Sequence, residues 1–172
     1  MISVLRLGHR VGRDHRISTH CCLVARAFGA DRLYYSGQRD TGMEDSVNKA
    51  VKNWGGKFAA EFVPDWKKFI RGFPGNKVHL TAYGLSFEKE IKKIRKHKGL
   101  LVIIGGEKVP PEIYQLADWN ISVTSQPHSE IAALAVFLDR LFDGNELDKK
   151  YSKARVKVIP QERGKKTIIS KT

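Results

Sequence analysis

The apolar positions of this chain form short continuous runs that alternate with longer stretches of helical period. Continuous runs bounded by turn residues are typical of buried strands, and a 3.6-residue period is typical of helices packed on one face. Strands are predicted at residues 2–7, 32–35, 57–63, 77–81, 100–104 and 119–123, and helices at residues 17–28, 43–54, 65–73, 87–98 and 130–142. This alternation predicts an α/β fold, with a mostly parallel sheet flanked by helices on both faces.

The predicted helix at residues 130–142 carries apolar side chains on nearly every face, namely Ile131, Leu134, Val136, Phe137, Leu138 and Leu141. An apolar helix of this kind must be covered by its own core or by a partner chain. Its apolar residues exceed what one face can hide, so the pattern predicts that part of this helix lies in a homodimer interface.

The composition changes after Gly144. Residues 149–172 contain nine Lys or Arg and one acidic residue, Glu162. Two β-like runs, at residues 154–159 and 166–169, flank a turn in which Gly164 can supply a positive φ. The sequence therefore predicts one domain at residues 1–148 and a basic C-terminal β-hairpin extension at residues 149–172.

The formal net charge of the 172-residue chain is +13, which favours a polyanionic partner, most simply a nucleic acid. A solvated lysine-rich surface is the alternative interpretation. Cys21 and Cys22 are adjacent in a helical pattern, so they are not expected to form a structural disulfide. A reduced, cytoplasmic protein is predicted. No apolar run is long enough to cross a bilayer, and no membrane partner is expected.

Polar loops follow two of the predicted strands, at residues 105–111 and 124–129. Loops at the carboxyl ends of parallel strands are where an open α/β sheet binds ligands. Gly105-Gly106 lacks the spacing of a dinucleotide fingerprint and the Lys-Ser/Thr pair of a phosphate loop. The loops therefore predict a pocket for a neutral or zwitterionic small molecule.

A basic segment at residues 7–16 follows the first strand and is predicted to be a loop. Guanidinium groups bind phosphates through paired hydrogen bonds, so Arg10, Arg13 and Arg16 suit an RNA backbone. Arg16 and His20 lie one helical turn apart. The alternative interpretation is a solvated turn in which Asp14 pairs with Arg16. No metal is predicted, because the nearby histidines lack further ligands at a suitable spacing.

Several short motifs together resemble an archaeal tRNA 2′-O-methyltransferase family that modifies cytidine 56, a member of the SPOUT superfamily. The resemblance rests on Leu5-Arg6-Leu7-Gly8-His9-Arg10, Arg13-Asp14, Arg16, Thr19-His20, Ala25-Arg26-Ala27-Phe28-Gly29-Ala30, Val78-His79-Leu80-Thr81, Tyr83-Gly84, Gly106-Glu107-Lys108-Val109-Pro110, Gln126-Pro127-His128-Ser129-Glu130, Ala132-Ala133-Leu134-Ala135, Val158-Ile159-Pro160-Gln161 and Arg163-Gly164-Lys165-Lys166. It covers essentially the whole chain.

The resemblance implies a deep trefoil knot near the C-terminal half, an obligate homodimer, and S-adenosylmethionine as the methyl donor for a tRNA ribose. The implied cofactor-binding residues are Leu80, Gly105, Gly106, Glu107, Lys108, Val109, Val123, Thr124, Ser125, Gln126, Pro127, His128, Ser129 and Glu130. Where other ribose methyltransferases of the superfamily carry an Asn-x-Ser pair, this chain has His128 and Glu130. This departure leaves the residue that assists the 2′-hydroxyl open.

Arg16, His20 and His128 are the candidate catalytic residues. Contacts with the tRNA backbone are predicted for Arg10, Arg13, Lys157, Arg163, Lys165 and Lys166. The hairpin that carries the last four could instead brace the dimer. A non-catalytic RNA-binding module is the alternative function, but such a module needs no pocket at the sheet edge. A flavodoxin-like nucleotide or metabolite binder is disfavoured by the charge.

Overall fold

The computed structural model describes residues 1–106 and 108–170, so Glu107 and the last two residues of the predicted extension lie outside the described residues. The strands are β1 Ile2–His9, β2 Arg32–Gly37, β3 Ala60–Phe62, β4 Asn76–Ser86, β5 Leu100–Gly105, β6 Trp119–Ser122, β7 Val156–Ile159 and β8 Lys166–Ile169. The helices are α1 Val11–Ala27, α2 Thr41–Trp54, α3 Trp66–Gly72, α4 Phe87–Ile94, α5 Ile113–Leu116 and α6 Glu130–Phe142.

The first six strands form one sheet in the order β3-β2-β1-β5-β4-β6, and every neighbouring pair is parallel. Side chains alternate between its two faces, as the two-residue period of a strand requires. Val4 and Val102 pack under α1, α2, α4 and α6, whereas Leu5 and Leu101 pack against α3 and α5. The predicted α/β class with a mostly parallel, helix-flanked sheet is confirmed.

The expectation that residues 7–16 form a loop is wrong, because β1 continues to His9 and α1 begins at Val11. The charged residues that suggested a loop form the first turns of the helix. Asp14 is buried there and accepts a hydrogen bond from the backbone N–H of Arg10 at 3.1 Å. A carboxylate in the first turn stabilises a helix by pairing with its free N–H groups. Asp14 pairs with Arg13 at 2.6 Å, and not with Arg16 as the alternative interpretation had it.

The helix α6 is covered mostly by its own chain. Leu134, Phe137, Leu138 and Leu141 are buried in the core. Val136 is 44% exposed. Most of these apolar residues are therefore covered within the subunit, because α1, α4 and the sheet surround α6 on several sides. The homodimer interface on this helix stays a prediction. Only a narrow strip remains for a partner.

The fourth strand is longer than predicted and irregular. It pairs with β6 up to Leu80 and again from Leu85, with a shift in register between. A Cβ at Gly84 would lie 2.5 Å from the backbone of Asn120, so only glycine allows this close approach. Tyr83 lies in this irregular segment, and its side chain is 89% exposed. This segment forms one wall of the site described below.

The C-terminal strands β7 and β8 pair antiparallel, with Val156 opposite Ile169. The base of this hairpin is anchored on the first two helices. The Arg155 N–H donates to the Asn53 carbonyl at 2.9 Å, and the guanidinium of Arg26 stacks 4.3 Å from the Tyr151 ring centroid. Beyond this base, Val158 and Ile168 are at least half exposed.

The structure also bears on the membrane and disulfide predictions. Within the described ranges, no helix combines the length and the apolar character needed to span a bilayer. Cys21 and Cys22 are both free and buried. Burial raises the pKa of Cys21 to about 12, so this thiol is protonated and unreactive at neutral pH.

Candidate active site

The carboxyl ends of β4 and β5 and the start of α6 enclose a cavity of about 800 Å³. This volume lies in the range of small-molecule sites. The predicted residues that line it are Leu80, Gly105, Gly106, Lys108, Val109, Pro127, His128 and Glu130. Residues more than 20 positions apart in the sequence thus meet at one edge of the sheet, as expected for the ends of parallel strands.

Five other predicted cofactor residues do not line this cavity. Val123, Thr124, Ser125 and Gln126 form the loop after β6, where the Gln126 N–H donates to Thr124 Oγ1 at 3.2 Å. Ser129 acts as the N-cap of α6 and accepts from the Ala132 N–H at 3.2 Å. These residues shape the loop that carries Pro127 and His128 into the cavity wall. Glu107 lies outside the described residues.

The glycines of the loop after β5 differ in how much space they have. A Cβ at Gly105 would overlap the side chain of Val109, which lines the cavity. A Cβ at Gly106 would meet only Arg13 Nη2, at an ordinary 3.5 Å. The resemblance implied both glycines, and Gly105 is the one where the absence of a side chain keeps the loop close to the strand.

His79 lies on the cavity wall and is fully buried. Burial lowers its pKa, and the hydrogen bond with Asn120 only partly opposes this effect. The neutral ring places Nδ1 2.9 Å from Asn120 Oδ1, an acceptor, so Nδ1 carries the proton. Nε2 is then a buried acceptor with no partner in the described chain. In the sequence, His79 appeared only as part of a motif of the resemblance. A polar residue within a predicted buried strand was the signal that could have marked His79 as a site residue.

A second cavity, of about 400 Å³, is basic and adjoins the first. Arg10, Arg13 and Lys108 contribute its charged side chains, and Gly106 and Lys108 line both cavities. Three cations around one small depression favour a phosphate group. The arrangement therefore places a site for an anion directly beside a site for a small molecule.

A buried polar network supports the wall of the basic cavity. His9 Nδ1 lies 2.7 Å from Ser18 Oγ, and His9 Nε2 lies 3.1 Å from Asp40 Oδ2. Asp40 also contacts His15 Nδ1 at 2.7 Å and accepts from the Met43 N–H at 2.9 Å. Burial lowers the pKa of His9 despite its bond to Asp40.

The order Ser18–His9–Asp40 is that of a hydrolytic triad, but it has no such role here. Ser18 is fully buried and lines neither cavity, so no substrate reaches its hydroxyl. Both ring nitrogens of His9 are engaged within the network. The network instead joins the end of β1 to α1 and to the start of α2.

A model of the family described as "tRNA ribose 2'-O-methyltransferase, aTrm56" matches residues 54–168. The tRNA (cytidine(56)-2'-O)-methyltransferase of Thermococcus kodakarensis is 51% identical over 174 residues, which cover 98% of this chain and 97% of the relative. The chain belongs to the aTrm56 family. The relative of the same description from Methanocaldococcus jannaschii is 49% identical, over 99% of this chain and 98% of its own.

Solved structures extend the likeness of this aTrm56 family member to a wider group. The A. aeolicus TrmH/SpoU tRNA modifying enzyme superposes with a TM-score of 0.57 at 20% identity, over 84% of this chain and 75% of its own. The SpoU methyltransferase AviRb of Streptomyces viridochromogenes, solved with AdoMet, gives 0.58 at 17% identity, over 83% and 57%. At these identities the likeness establishes the fold alone.

The other predicted site residues of this aTrm56 family member lie apart from the two cavities. Arg16 and His20 are exposed on α1 and line neither cavity. Lys157, Arg163, Lys165 and Lys166 are exposed on the hairpin. Among residues 1–106 and 108–170, no group of three or more His, Cys, Asp or Glu is arranged to hold a metal ion.

Proposed function

We propose that this chain transfers a methyl group from S-adenosylmethionine to the ribose 2′-oxygen of cytidine 56 in tRNA. One observation carries the proposal: a small-molecule cavity and a basic cavity share Gly106 and Lys108 at one edge of the sheet. The aTrm56 family, to which the chain belongs over nearly its whole length, is named for this reaction. We also propose a cytoplasmic location, which suits an enzyme that acts on tRNA.

The residues of the larger cavity fit S-adenosylmethionine. Gly105 lets the Val109 side chain pack close to the end of β5, which shapes the cavity wall. His79 Nε2 is an unpaired acceptor suited to a ligand N–H or O–H donor. Lys108 and Glu130 provide one cation and one anion for a ligand that carries both kinds of charge. We propose that these four residues hold the cofactor.

Bound S-adenosylmethionine supplies an activated methyl group. The protein must then align the 2′-oxygen and ease the loss of its proton. Arg10 and Arg13 would hold a backbone phosphate of the tRNA, and the net charge of +13 suits this polyanion. Arg16 would stabilise the negative charge that develops on the oxygen, since a guanidinium stays protonated and is a poor base. His20 and His128 are the alternative groups.

A non-catalytic RNA-binding module, the alternative function, is not favoured. Binding alone would use the basic cavity and the hairpin. It would give no role to the larger cavity, whose lining brings together the ends of two strands and the start of α6.

We also propose the deep trefoil knot that the resemblance implied. The chain passes from β5, over α5, to β6 on the far side of β4 before it enters α6. This order, together with the fold likeness to SpoU proteins, supports a knot formed by β6 and α6.

We further propose a homodimer. The apolar side chains of Ile17, Leu23 and Val136 are each about 40% exposed on α1 and α6, two helices that pack side by side. Arg16 lies on α1 and outside the cavities of its own subunit, so it would act at the cavity of the partner subunit.

Sedimentation at low micromolar concentration is expected to give twice the chain mass, because an obligate interface typically buries about 2,000 Å² or more. Replacement of Val136 by Glu should shift the protein toward the monomer and reduce methylation in parallel. A wild-type monomer with full activity would contradict the dimer.

Truncation before Ala154 tests the hairpin. We expect weaker tRNA binding and a smaller salt dependence, because the salt slope falls by about one unit for each phosphate that the protein no longer neutralises. Binding of S-adenosylmethionine should be unchanged. Loss of the dimer together with activity would instead assign the hairpin to dimer stabilisation. An intact dimer with an unchanged salt slope would refute the RNA-binding role of the hairpin.

The direct test of the function is methyl transfer from labelled S-adenosylmethionine to unmodified tRNA. We expect incorporation of one methyl group per tRNA, mapped to the 2′-oxygen of cytidine 56. A tRNA with a different base at this position is the control. Binding of tRNA without methyl transfer would favour the RNA-binding module.

A further inference from the structure

Arg6 is an unusual residue for the central strand of a sheet. It lies on β1 between β2 and β5 and is fully buried. A buried guanidinium is costly unless it is paired, because it loses its hydration. The hydrogen bond found for Arg6 joins Nη2 to Glu130 Oε1 at 3.3 Å, while Nε and Nη1 are buried without a partner in the described chain. The cost of burying Arg6 is thus offset mainly at Glu130.

Glu130 is the first residue of α6 and lines the larger cavity. Its side chain is 20% exposed, whereas that of Arg6 is 1% exposed. Arg6 therefore binds one carboxylate oxygen of Glu130, Oε1, from the buried side of this residue. The other oxygen, Oε2, has no hydrogen-bond partner in the described chain and is not among the buried unpaired atoms. It remains available to a ligand in the cavity.

The charges around the cavity are few. Glu130 is the only carboxylate among the described lining residues, and Lys108 is the only Lys or Arg. S-adenosylmethionine carries two cationic centres, the sulfonium and the α-ammonium, and one carboxylate. Lys108 can pair with its carboxylate, which leaves Glu130 as the described lining residue that can pair with a cation. The net charge of +13 disfavours a cationic ligand, and a local carboxylate offsets this effect in the cavity.

We propose that Glu130, oriented by the buried Arg6, recognises a cationic centre of S-adenosylmethionine. This inference rests on the proposed function, since it names how the same cavity selects its cofactor. Glu130 is a binding residue in this assignment, and Arg6 is a positioning residue that acts through it. The shared chemistry is a carboxylate facing a sulfonium or an ammonium group.

Isothermal titration calorimetry with Glu130→Gln tests the proposal. The Gln side chain keeps an oxygen for Arg6 and removes only the charge. Removal of a charged interaction should weaken S-adenosylmethionine binding by roughly 10- to 100-fold. Binding of 5′-methylthioadenosine, which lacks both the sulfonium and the amino-acid group, should stay at the wild-type value. Glu90→Gln is the matched control, because Glu90 pairs with Lys93 on α4 and lines neither cavity.

S-adenosylhomocysteine separates the two cationic centres, because it keeps the ammonium but has an uncharged sulfur. If Glu130 faces the sulfonium, Glu130→Gln leaves the binding of S-adenosylhomocysteine unchanged. If Glu130 faces the ammonium, the variant weakens both ligands equally. Equal binding of S-adenosylmethionine by the folded variant and the wild type overturns the proposal. Failure of the wild type to bind it overturns the proposed function instead.

Arg6→Lys tests the positioning role and provides a second variant should Glu130→Gln fold poorly. Lys keeps the buried charge but has a different shape, so the Glu130 carboxylate should move. We expect weaker binding of S-adenosylmethionine with unchanged binding of 5′-methylthioadenosine. An equal loss for both ligands would assign Arg6 to the stability of the sheet alone and overturn its positioning role.

Discussion

Arg16→Ala is expected to lower the single-turnover rate of tRNA methylation by roughly 100-fold or more, since removal of one group that stabilises developing charge typically costs this much. Arg16 is exposed on α1, and its side chain makes no hydrogen bond or ion pair in the described chain, so its replacement should leave the fold intact. The affinity for S-adenosylmethionine should change little, because Arg16 does not line the cofactor cavity of its own subunit.

His20→Ala, one turn further along the same helix, is the matched comparison. A smaller effect in His20→Ala would support Arg16 as the main group. If Arg16→Ala methylates within a few-fold of wild type at saturating tRNA, the assignment moves to His20 or His128.

Subunit mixing tests whether Arg16 acts at the partner's cavity. Arg16→Ala and a cofactor-site variant, each with little activity alone, would form mixed dimers with one complete site. Random mixing of a symmetric dimer should then restore about a quarter of the wild-type rate. No recovery on mixing would place Arg16 at the cavity of its own subunit.

Gly105→Ala is expected to weaken S-adenosylmethionine binding on the order of 10- to 100-fold. The new Cβ would overlap the side chain of Val109, which must shift within the cavity wall. Overpacking of this kind costs about 1–3 kcal/mol. Calorimetry measures the affinity, and a thermal melt reports whether the variant remains folded.

Gly72→Ala is the control for Gly105→Ala, because a Cβ there has no neighbour within 4 Å. It should bind S-adenosylmethionine as the wild type does. Gly106→Ala should have a smaller effect than Gly105→Ala, since its Cβ makes only an ordinary contact with Arg13. Wild-type affinity in Gly105→Ala would show that the loop adapts and that the cavity does not depend on this glycine.

The start of α1 was not predicted, because its first residues are mostly charged and polar. Residues 11–16 have no apolar period, so periodicity placed the helix six residues too late. The structure shows why the segment is helical: Asp14 turns inward and pairs with Arg13 and the Arg10 N–H. Pairing of this kind depends on side-chain direction, which a hydrophobic pattern does not report.

The sequence indicated each residue of the buried pair Arg6 and Glu130, but not that the two are in contact. Arg6 stood in a predicted strand, where a charge suggests either an error in the prediction or a buried partner. Its partner, Glu130, lies 124 residues away in the chain. Sequence reasoning named Glu130 as a cofactor residue, but nothing in the sequence connected it with Arg6.

The sequence by itself determined the α/β class, the position of most strands, the basic character of the surface and the family. These properties follow from local periodicity, composition and motifs, each of which is written in consecutive residues. Only the tertiary structure decided that Gly105 rather than Gly106 is tightly packed, that His79 has an unpaired nitrogen, and that Arg6 supports Glu130. Each of these facts depends on which strand ends meet, and contacts between distant segments are fixed by packing of the whole sheet rather than by any local pattern.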